Sequence, residues 1–378
     1  MAVAATTLLA GCGSGAGDSR EGSSEYTLIS ESTVSLPLDS ATSQEAYMLE
    51  HTADGRLMFY SRKTNSLCIY DLDSAKLIDK IEYYSQGPNA INSVEGCQYG
   101  APDSVWLYSV RANHELIRTD TAGNILERFD YPFDPTASYA MRPEPYTSAP
   151  YKVSGPNHYL FGSCSFRDAN PSQQPFAGSI FNVATGQLSV GIPYPESYTN
   201  VPQFIERFSG MLSPSYTVAP DGKIVVSFAA SDSLFIFDSL TSMPTHRLAT
   251  ITEPLEITPA PDGASTLDAM THLIKQPTMA NILYDPENKL YYRLVALPMA
   301  DFDPSKGYDE LLRRPWTVVI LDENFNKVGE SPLPAASYIP QQAFVHNGAL
   351  FLQTLSPDDD FMTFSTFTPA AAIKSSTR

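Results

Sequence analysis

The feature that most constrains this chain is a hairpin turn that recurs six times, each time just ahead of a short apolar strand. The turns are Ala53-Asp54-Gly55, Ala101-Pro102-Asp103, Gly155-Pro156-Asn157, Pro220-Asp221-Gly222, Asp285-Pro286-Glu287-Asn288 and His346-Asn347-Gly348. Asp-Gly and Asn-Gly supply the positive φ that a tight two-strand turn needs. Recurrence at roughly 50–65 residues suits one four-stranded sheet plus its loops. Strand pairs fill the intervals: 67–71 with 76–81, 115–119 with 125–129, 179–183 with 187–190, 234–238 with 247–250, and 317–322 with 327–329. Their β-branched and aromatic residues suit stacked sheets.

The last unit is short of a strand. It holds 343–345, 350–352 and 361–364, whereas residues 32–38 near the N-terminus form a strand with no sheet of their own. The expectation is an all-β, six-bladed β-propeller over residues 26–378, its ring closed by that N-terminal strand joining the last blade. Closure removes the edges an open sheet must protect. A pair of stacked sheets with eight or more strands is the rival arrangement.

Composition agrees with short strands and many turns: 30 prolines, 21 tyrosines, 19 phenylalanines and only 17% charged residues. The formal net charge of −18 opposes binding to nucleic acid or anionic lipid headgroups.

Residues 1–11 read as a lipoprotein signal peptide. Leu8-Leu9-Ala10-Gly11-Cys12 has the form of a lipobox, with Cys12 as the lipidation site. The basic segment that usually opens such a signal is missing, which places the true start upstream. Residues 12–25 follow as a flexible Gly/Ser tether. No later apolar run is long enough to span a bilayer, so lipid is the anchor expected. Gly13 carries no inner-membrane retention signal, so the expected location is the outer membrane, on its periplasmic face or the cell surface. Cys68, Cys97 and Cys164 lack metal-ligand or CxxC spacing and read as buried strand thiols.

Loop length divides the two faces of such a ring. Turns joining first to second and third to fourth strands are tight, whereas the long insertions, 132–150, 164–176, 195–212, 253–279 and 298–315, all belong to the other set. Long loops on a rigid scaffold are where binding usually resides. The candidate ligand- or partner-binding residues are Arg142, Tyr146, Arg167, Arg207, Phe208, Arg293, Arg314 and Trp316, because Arg and aromatic side chains favour recognition of peptides, glycans or proteins. Residues 265–275 are expected to form an amphipathic helix on this face.

Catalytic signals are sparse. The six histidines are scattered, and no phosphate loop, nucleophile elbow or zinc pattern occurs. The segment 301–307 lacks the glycine and terminal glutamate of a calcium loop. The expectation is therefore no metal and no cofactor, with a protein or glycan as the partner. An enzyme would need titratable groups converging on the axis, with Arg62, Arg111, His114, Arg207 and Arg293 as candidates.

Finally, residues 80–90 with Ser85-Gln86-Gly87-Pro88-Asn89-Ala90, then Asp103-Ser104-Val105-Trp106-Leu107, Tyr284-Asp285-Pro286, Tyr291-Tyr292-Arg293, and Arg314-Pro315-Trp316 through Glu330, resemble an uncharacterised family of propeller lipoproteins from Bacteroidota-type bacteria. The resemblance implies six blades and an envelope lipoprotein. It carries no known activity and no catalytic residues. The reading that follows is a non-enzymatic envelope binding or scaffold protein, the alternative a glycan- or peptide-acting hydrolase or lyase with an axial pocket.

Overall fold

The computed structural model describes residues 25–372, apart from 45, 47, 53, 101–103, 111–113, 134–140, 165–174, 200–213, 254–256, 262, 307, 335–337 and 355–357. Cys12 and its tether, and the turn at 101–103, lie outside the described residues.

The strands, in chain order, build five sheets. β1 (Tyr26–Pro37) belongs with the last strands. β2 (Leu49–His51), β3 (Arg56–Ser61), β4 (Ser66–Asp71) and β5 (Lys76–Glu82) form one four-stranded meander. β6 (Val94–Gly100), β7 (Ser104–Ser109), β8 (Glu115–Asp120) and β9 (Ile125–Asp130) form the next. In the third, β10 (Met141–Pro143) and β11 (Lys152–Ser154) both pair with β12 (Asn157–Cys164), followed by β13 (Phe176–Asn182) and β14 (Gln187–Pro193). The fourth holds β15 (Ser215–Val218), β16 (Ile224–Ser227), β17 (Ser233–Phe237) and β18 (Thr245–Leu248). The fifth is eight-stranded. It joins β19 (Thr278–Asp285), β20 (Leu290–Ala296), β21 (Trp316–Leu321) and β22 (Lys327–Pro332) through β1 to β25 (Phe361–Ala371), β24 (Ala349–Thr354) and β23 (Tyr338–His346). Among the described residues the α-helices are α1 (Glu196–Thr199), α2 (Thr266–Ile274) and α3 (Tyr308–Leu311).

The arrangement is all-β and propeller-like. β1 runs antiparallel to β25 from Tyr26↔Ala371 to Pro37↔Phe361, and touches β22 in parallel at Tyr26↔Gly329. It starts earlier than the expected 32–38 because Tyr26 and Leu28 pack on an apolar cluster and Leu28 N–H donates to Ser331 Oγ at 3.1 Å. Gly329 is required there, since a Cβ would run into the Tyr26 carbonyl. At the hairpin Asn347-Gly348 both residues take positive φ, 48° and 68°, as that dipeptide predicts.

Apolar residues wedge between successive strand groups in cyclic order. Met58 and Ile69 meet Leu107 and Ile117, Tyr108 meets Leu160 and Phe181, and Phe161 meets Val226 and Phe228. Val225 and Ile236 meet Ile282 and Val319, Leu294 and Ile320 meet Leu350 and Leu352, and Phe351 and Phe364 meet Phe59 and Tyr70. Each fully buried aliphatic or aromatic side chain contributes about 1.5–3 kcal/mol, so these wedges hold the ring together.

One turn chemistry recurs in the tight hairpins. Asp120 accepts from the backbone N–H of Ala122 and Asn124 and from the Asn124 side chain. Asp322 repeats the pattern with Asn324 and Asn326.

Candidate functional site

The innermost strand of each group faces a common axis, and buried hydrogen bonds tie these strands together there. The residues between β10 and β11 plug the axis. Tyr146 and Ala149 form a small antiparallel bridge, and between them Thr147 is 8% exposed. Thr147 Oγ1 accepts from Leu49 N–H of β2 at 2.7 Å and donates to Gln342 Oε1 of β23 at 2.6 Å. Ser148 O accepts from Tyr216 N–H of β15 at 3.0 Å. Ser215 Oγ accepts from Ile282 N–H at 2.9 Å, Asn281 Nδ2 donates to Pro340 O, and Gln342 Nε2 donates to Ala46 O. Pro145 settles against Gly96, where a side chain would crowd it. The long insertion expected over 132–150 holds a strand of its own: β10 within it pairs with β12, β11 just after it pairs with β12 as well, and Gly162 lets the Arg142 backbone come close.

Above the plug lies a cavity of about 390 Å³. The expected helix forms as α2, started by a capping box in which Ser265 Oγ accepts from Asp268 N–H. Its buried end, Leu273 and Ile274, lines the cavity with Met279, Leu311, Leu312 and Ile339. Ile274 also packs with Met299 and Phe302, so the 253–279 and 298–315 insertions brace each other. Tyr146, Trp316 and Tyr338 add aromatic faces. β19 and β23 both slip register here, between Met279 and Ile282 and between Ile339 and Ala343. Bulges of this kind re-aim side chains and free backbone from the ladder beside sites.

A cluster of four charged side chains acts electrostatically on Tyr146 of the cavity wall. Arg62 approaches Glu95 at 3.7 Å and Arg142 approaches Glu144 at 4.0 Å. The guanidinium side chains are 48% and 55% exposed, the carboxylates only 21% and 13%, so the positive charge faces outward. Burial pushes the Glu95 carboxyl up, against the pull of Arg142 and Arg62. Tyr146 is pushed up by burial, with Glu144 and Glu95 adding to it.

Of the residues expected from sequence, Tyr146, Arg314 and Trp316 meet at this cavity, whereas Arg142 pairs with Glu144 and is not part of its lining. Arg314 is spent partly on structure: its Nε donates to Leu297 O at 2.9 Å and an Nη to Thr278 Oγ1 at 3.1 Å, and burial lowers its pKa to about 10. Arg293 is corrected. It is 0% exposed, and it donates to Ser227 Oγ and to the carbonyls of Ser231, Asp232, Ser233 and Ala249. Burial lowers its pKa to about 9. It clamps the β16–β17 loop to β20 and is not part of the cavity lining. Arg111, Arg167, Arg207 and Phe208 lie outside the described residues. His114 sits in the β7–β8 region, bonded to the Tyr108 hydroxyl, its pKa lowered by burial. Arg62 does converge with other titratable groups, whereas Glu95 and Glu144 were missed; as single carboxylates in unrelated strands they leave no spacing signature.

A larger recess of about 490 Å³ opens on the tight-turn face, lined by Pro220, Asp221, Lys223, Arg247, Glu323 and Phe325 among others. It is made of hairpin tips, and Lys223 is paired with Asp221 at 2.5 Å. The axial cavity, with its largely apolar wall and a few polar side chains such as Asn281, Arg314 and Gln341, has the make-up of a ligand site.

Residues 25–332 match a family model described as Domain of unknown function (DUF4221), and the chain belongs to that family. It is similar to the crystal structure of a DUF4221 member from Bacteroides vulgatus, with 19% identity, 92% of this chain and 99% of that chain covered, and a TM-score of 0.74. It is also similar to a Bacteroides fragilis protein proposed to be exported, with 9% identity, 92% and 96% covered, and a TM-score of 0.58. These likenesses show the fold. No curated protein matches the sequence.

Proposed function

We propose, with membership of the DUF4221 family as the premise, that this protein is a six-bladed propeller that binds a ligand in the axial cavity of its loop-rich face without transforming it. In this reading β19–β22 and β23–β25 with β1 are separate blades whose ladder pairing is confined to Tyr26↔Gly329. The observation that carries the binding role is the cavity itself, walled by residues of the 253–279 and 298–315 insertions and of the plug. The Leu8–Cys12 lipobox supports a lipid anchor in the outer membrane, and export agrees with the description of the Bacteroides fragilis relative. Among the described residues no helix is long and apolar enough to cross a membrane.

Native mass spectrometry of the protein released from its own envelope tests this. A bound small molecule that is lost in Leu273→Glu supports the reading. Identical spectra from both proteins oppose it.

The hydrolase or lyase reading draws on Glu95, a carboxyl raised by burial and lying near Glu144. Turnover of the bound molecule that disappears in Glu95→Gln, with binding retained, would favour it.

A further inference from the structure

We propose that Arg314 is the residue that anchors the ligand of the axial cavity, and that it selects a small organic monoanion; this rests on the binding role proposed above. Among the described residues, Arg314 is the one charged side chain that lines the cavity. An arginine carries five N–H donors. Arg293 spends all five on protein acceptors, one from Nε and two from each terminal nitrogen. Arg314 spends three: its Nε donates to Leu297 O at 2.9 Å, and Nη2 donates to Thr278 Oγ1 at 3.1 Å and to Gln276 O. Its other terminal nitrogen, Nη1, has no partner among the described residues and is not sealed from solvent. The two N–H groups of Nη1 are therefore left for what enters the cavity.

The sign and the amount of the ligand's charge follow. All three acceptors of Arg314 are neutral, and no carboxylate pairs with it among the described residues. Burial lowers its pKa to about 10, so the group is still a cation at neutral pH. A largely covered cation held by neutral groups gains most from an anion, because the pair forms away from bulk water. One positive charge on the wall is balanced by one negative charge. A dianion such as a phosphate monoester would bury its second charge uncompensated, and an ammonium would add like charge. The three bonds to Leu297, Thr278 and Gln276 also fix the guanidinium before a ligand arrives, so little side-chain freedom is lost on binding. The rest of the wall suits an apolar, ring-bearing body: Trp316 and Tyr338 offer aromatic faces, and Leu273, Ile274 and Met279 hydrocarbon. At about 390 Å³ the cavity falls near the low end of the roughly 300–1,000 Å³ that small-molecule sites occupy, which suits a free small molecule better than a folded partner.

The chain contains two tryptophans, and Trp316 lines the cavity whereas Trp106 packs near Phe129 and His158. In a Trp106→Phe background the indole fluorescence therefore reports on the cavity alone. The experiment titrates that full-length protein with four probes that share one phenyl body: hydrocinnamate, hydrocinnamyl alcohol, hydrocinnamyl amine and hydrocinnamyl phosphate. Hydrocinnamate should bind about tenfold or more tighter than the alcohol, as one charge-assisted contact implies, with the amine weakest. Arg314→Met should abolish that preference and leave the affinity for the alcohol unchanged. Because this variant also removes three structural bonds, Gln341→Glu supplies a second readout. Gln341 lines the cavity from an exposed position, and a carboxylate there should weaken hydrocinnamate severalfold and leave the alcohol unchanged. Equal binding of hydrocinnamate and the alcohol, or a preference that survives both Arg314→Met and Gln341→Glu, overturns the anchoring role and leaves the binding cavity standing. Tightest binding by the phosphate overturns the monoanion, and tightest binding by the amine overturns the sign. Binding of none of the four overturns this inference; a molecule still retained from the envelope would then show the binding role standing without it.

Discussion

Replacing Arg293 by methionine should be among the most damaging single changes in the described structure, although Arg293 touches no ligand. Methionine keeps an unbranched apolar stem and deletes the guanidinium. The carbonyl oxygens of Ser231 and Ala249 each lose a bond of 2.7 Å, and that of Asp232 one of 2.8 Å. Ser227 Oγ loses a bond of 3.1 Å and Ser233 O one of 3.3 Å. A buried acceptor left unpaired costs about 1–3 kcal/mol. Ala249 O and Ser227 Oγ are buried and would cost about 2 kcal/mol each, the partly covered carbonyls of Ser231, Asp232 and Ser233 about 2 kcal/mol together, roughly 6 kcal/mol in all, and relief from burying a charge gives part of that back. The net expectation is a destabilisation of about 4 kcal/mol. At about 2 °C per kcal/mol for a large domain, the thermal midpoint should fall by about 8 °C. Arg293→Lys should fall between, because one ammonium cannot serve carbonyls on both sides of the loop. Calorimetry gives the midpoint, and fluorescence titration below the transition gives ligand affinity. A methionine variant within about 1 °C of the parent would refute the clamp. Lost affinity at full stability would return Arg293 to the ligand site.

Three further outcomes follow from the same structure. Thr147→Val keeps the shape of the plug but strands Leu49 N–H and Gln342 Oε1, both buried, so denaturant unfolding should show a loss of about 2–4 kcal/mol, with Thr147→Ser costing under about 1 kcal/mol. Gly329→Ala leaves no room for the Tyr26 carbonyl, so β1 should part from β22 and limited proteolysis should cut earlier near Tyr26, whereas Gly186→Ala, strained only by its own φ of 70° in an open turn, should leave cleavage near Tyr26 unchanged. His158 is fully buried and burial lowers its pKa from 6.5 to about 4. The unfolded chain therefore binds the proton first: the stabilisation is full above pH 6.5 and is lost as pH falls toward 4, by about 1.4 kcal/mol per unit. His158→Phe should flatten that limb of the stability curve relative to the parent, and superimposable slopes would show that His158 titrates normally.

Much of the sheet plan was legible because it is written locally. Asp-Gly and Asn-Gly fix tight hairpins within two residues, and runs such as Leu234–Phe237 or Val318–Leu321 can only be strands buried on both faces. The split between tight and long connections was readable for the same reason. The long insertions do fall between the second and third strands of a sheet or between sheets, as at 298–315 between β20 and β21. What stayed hidden depends on contacts far apart in the chain. Thr147 bonds to residues 98 and 195 positions away, so no local pattern marks the plug. Arg293 carries the same residue type as Arg142, and only its burial against the β16–β17 loop tells them apart. Glu95 and Glu144 come together through the approach of β6 and β10, which depends on Gly96 leaving space for Pro145. The Asp-to-Asn turns at 120–124 and 322–326 are a local signal that was present and readable.

The most direct test of the account is amide hydrogen exchange of the full-length protein with and without the small molecule retained from its own envelope. The axial cavity as ligand seat predicts slowed exchange in 146–149, 270–281, 311–316 and 338–342, with the hairpin tips at 219–223 and 323–325 unchanged. Protection at those tips, which line the recess on the opposite face, or no protection anywhere, would contradict it.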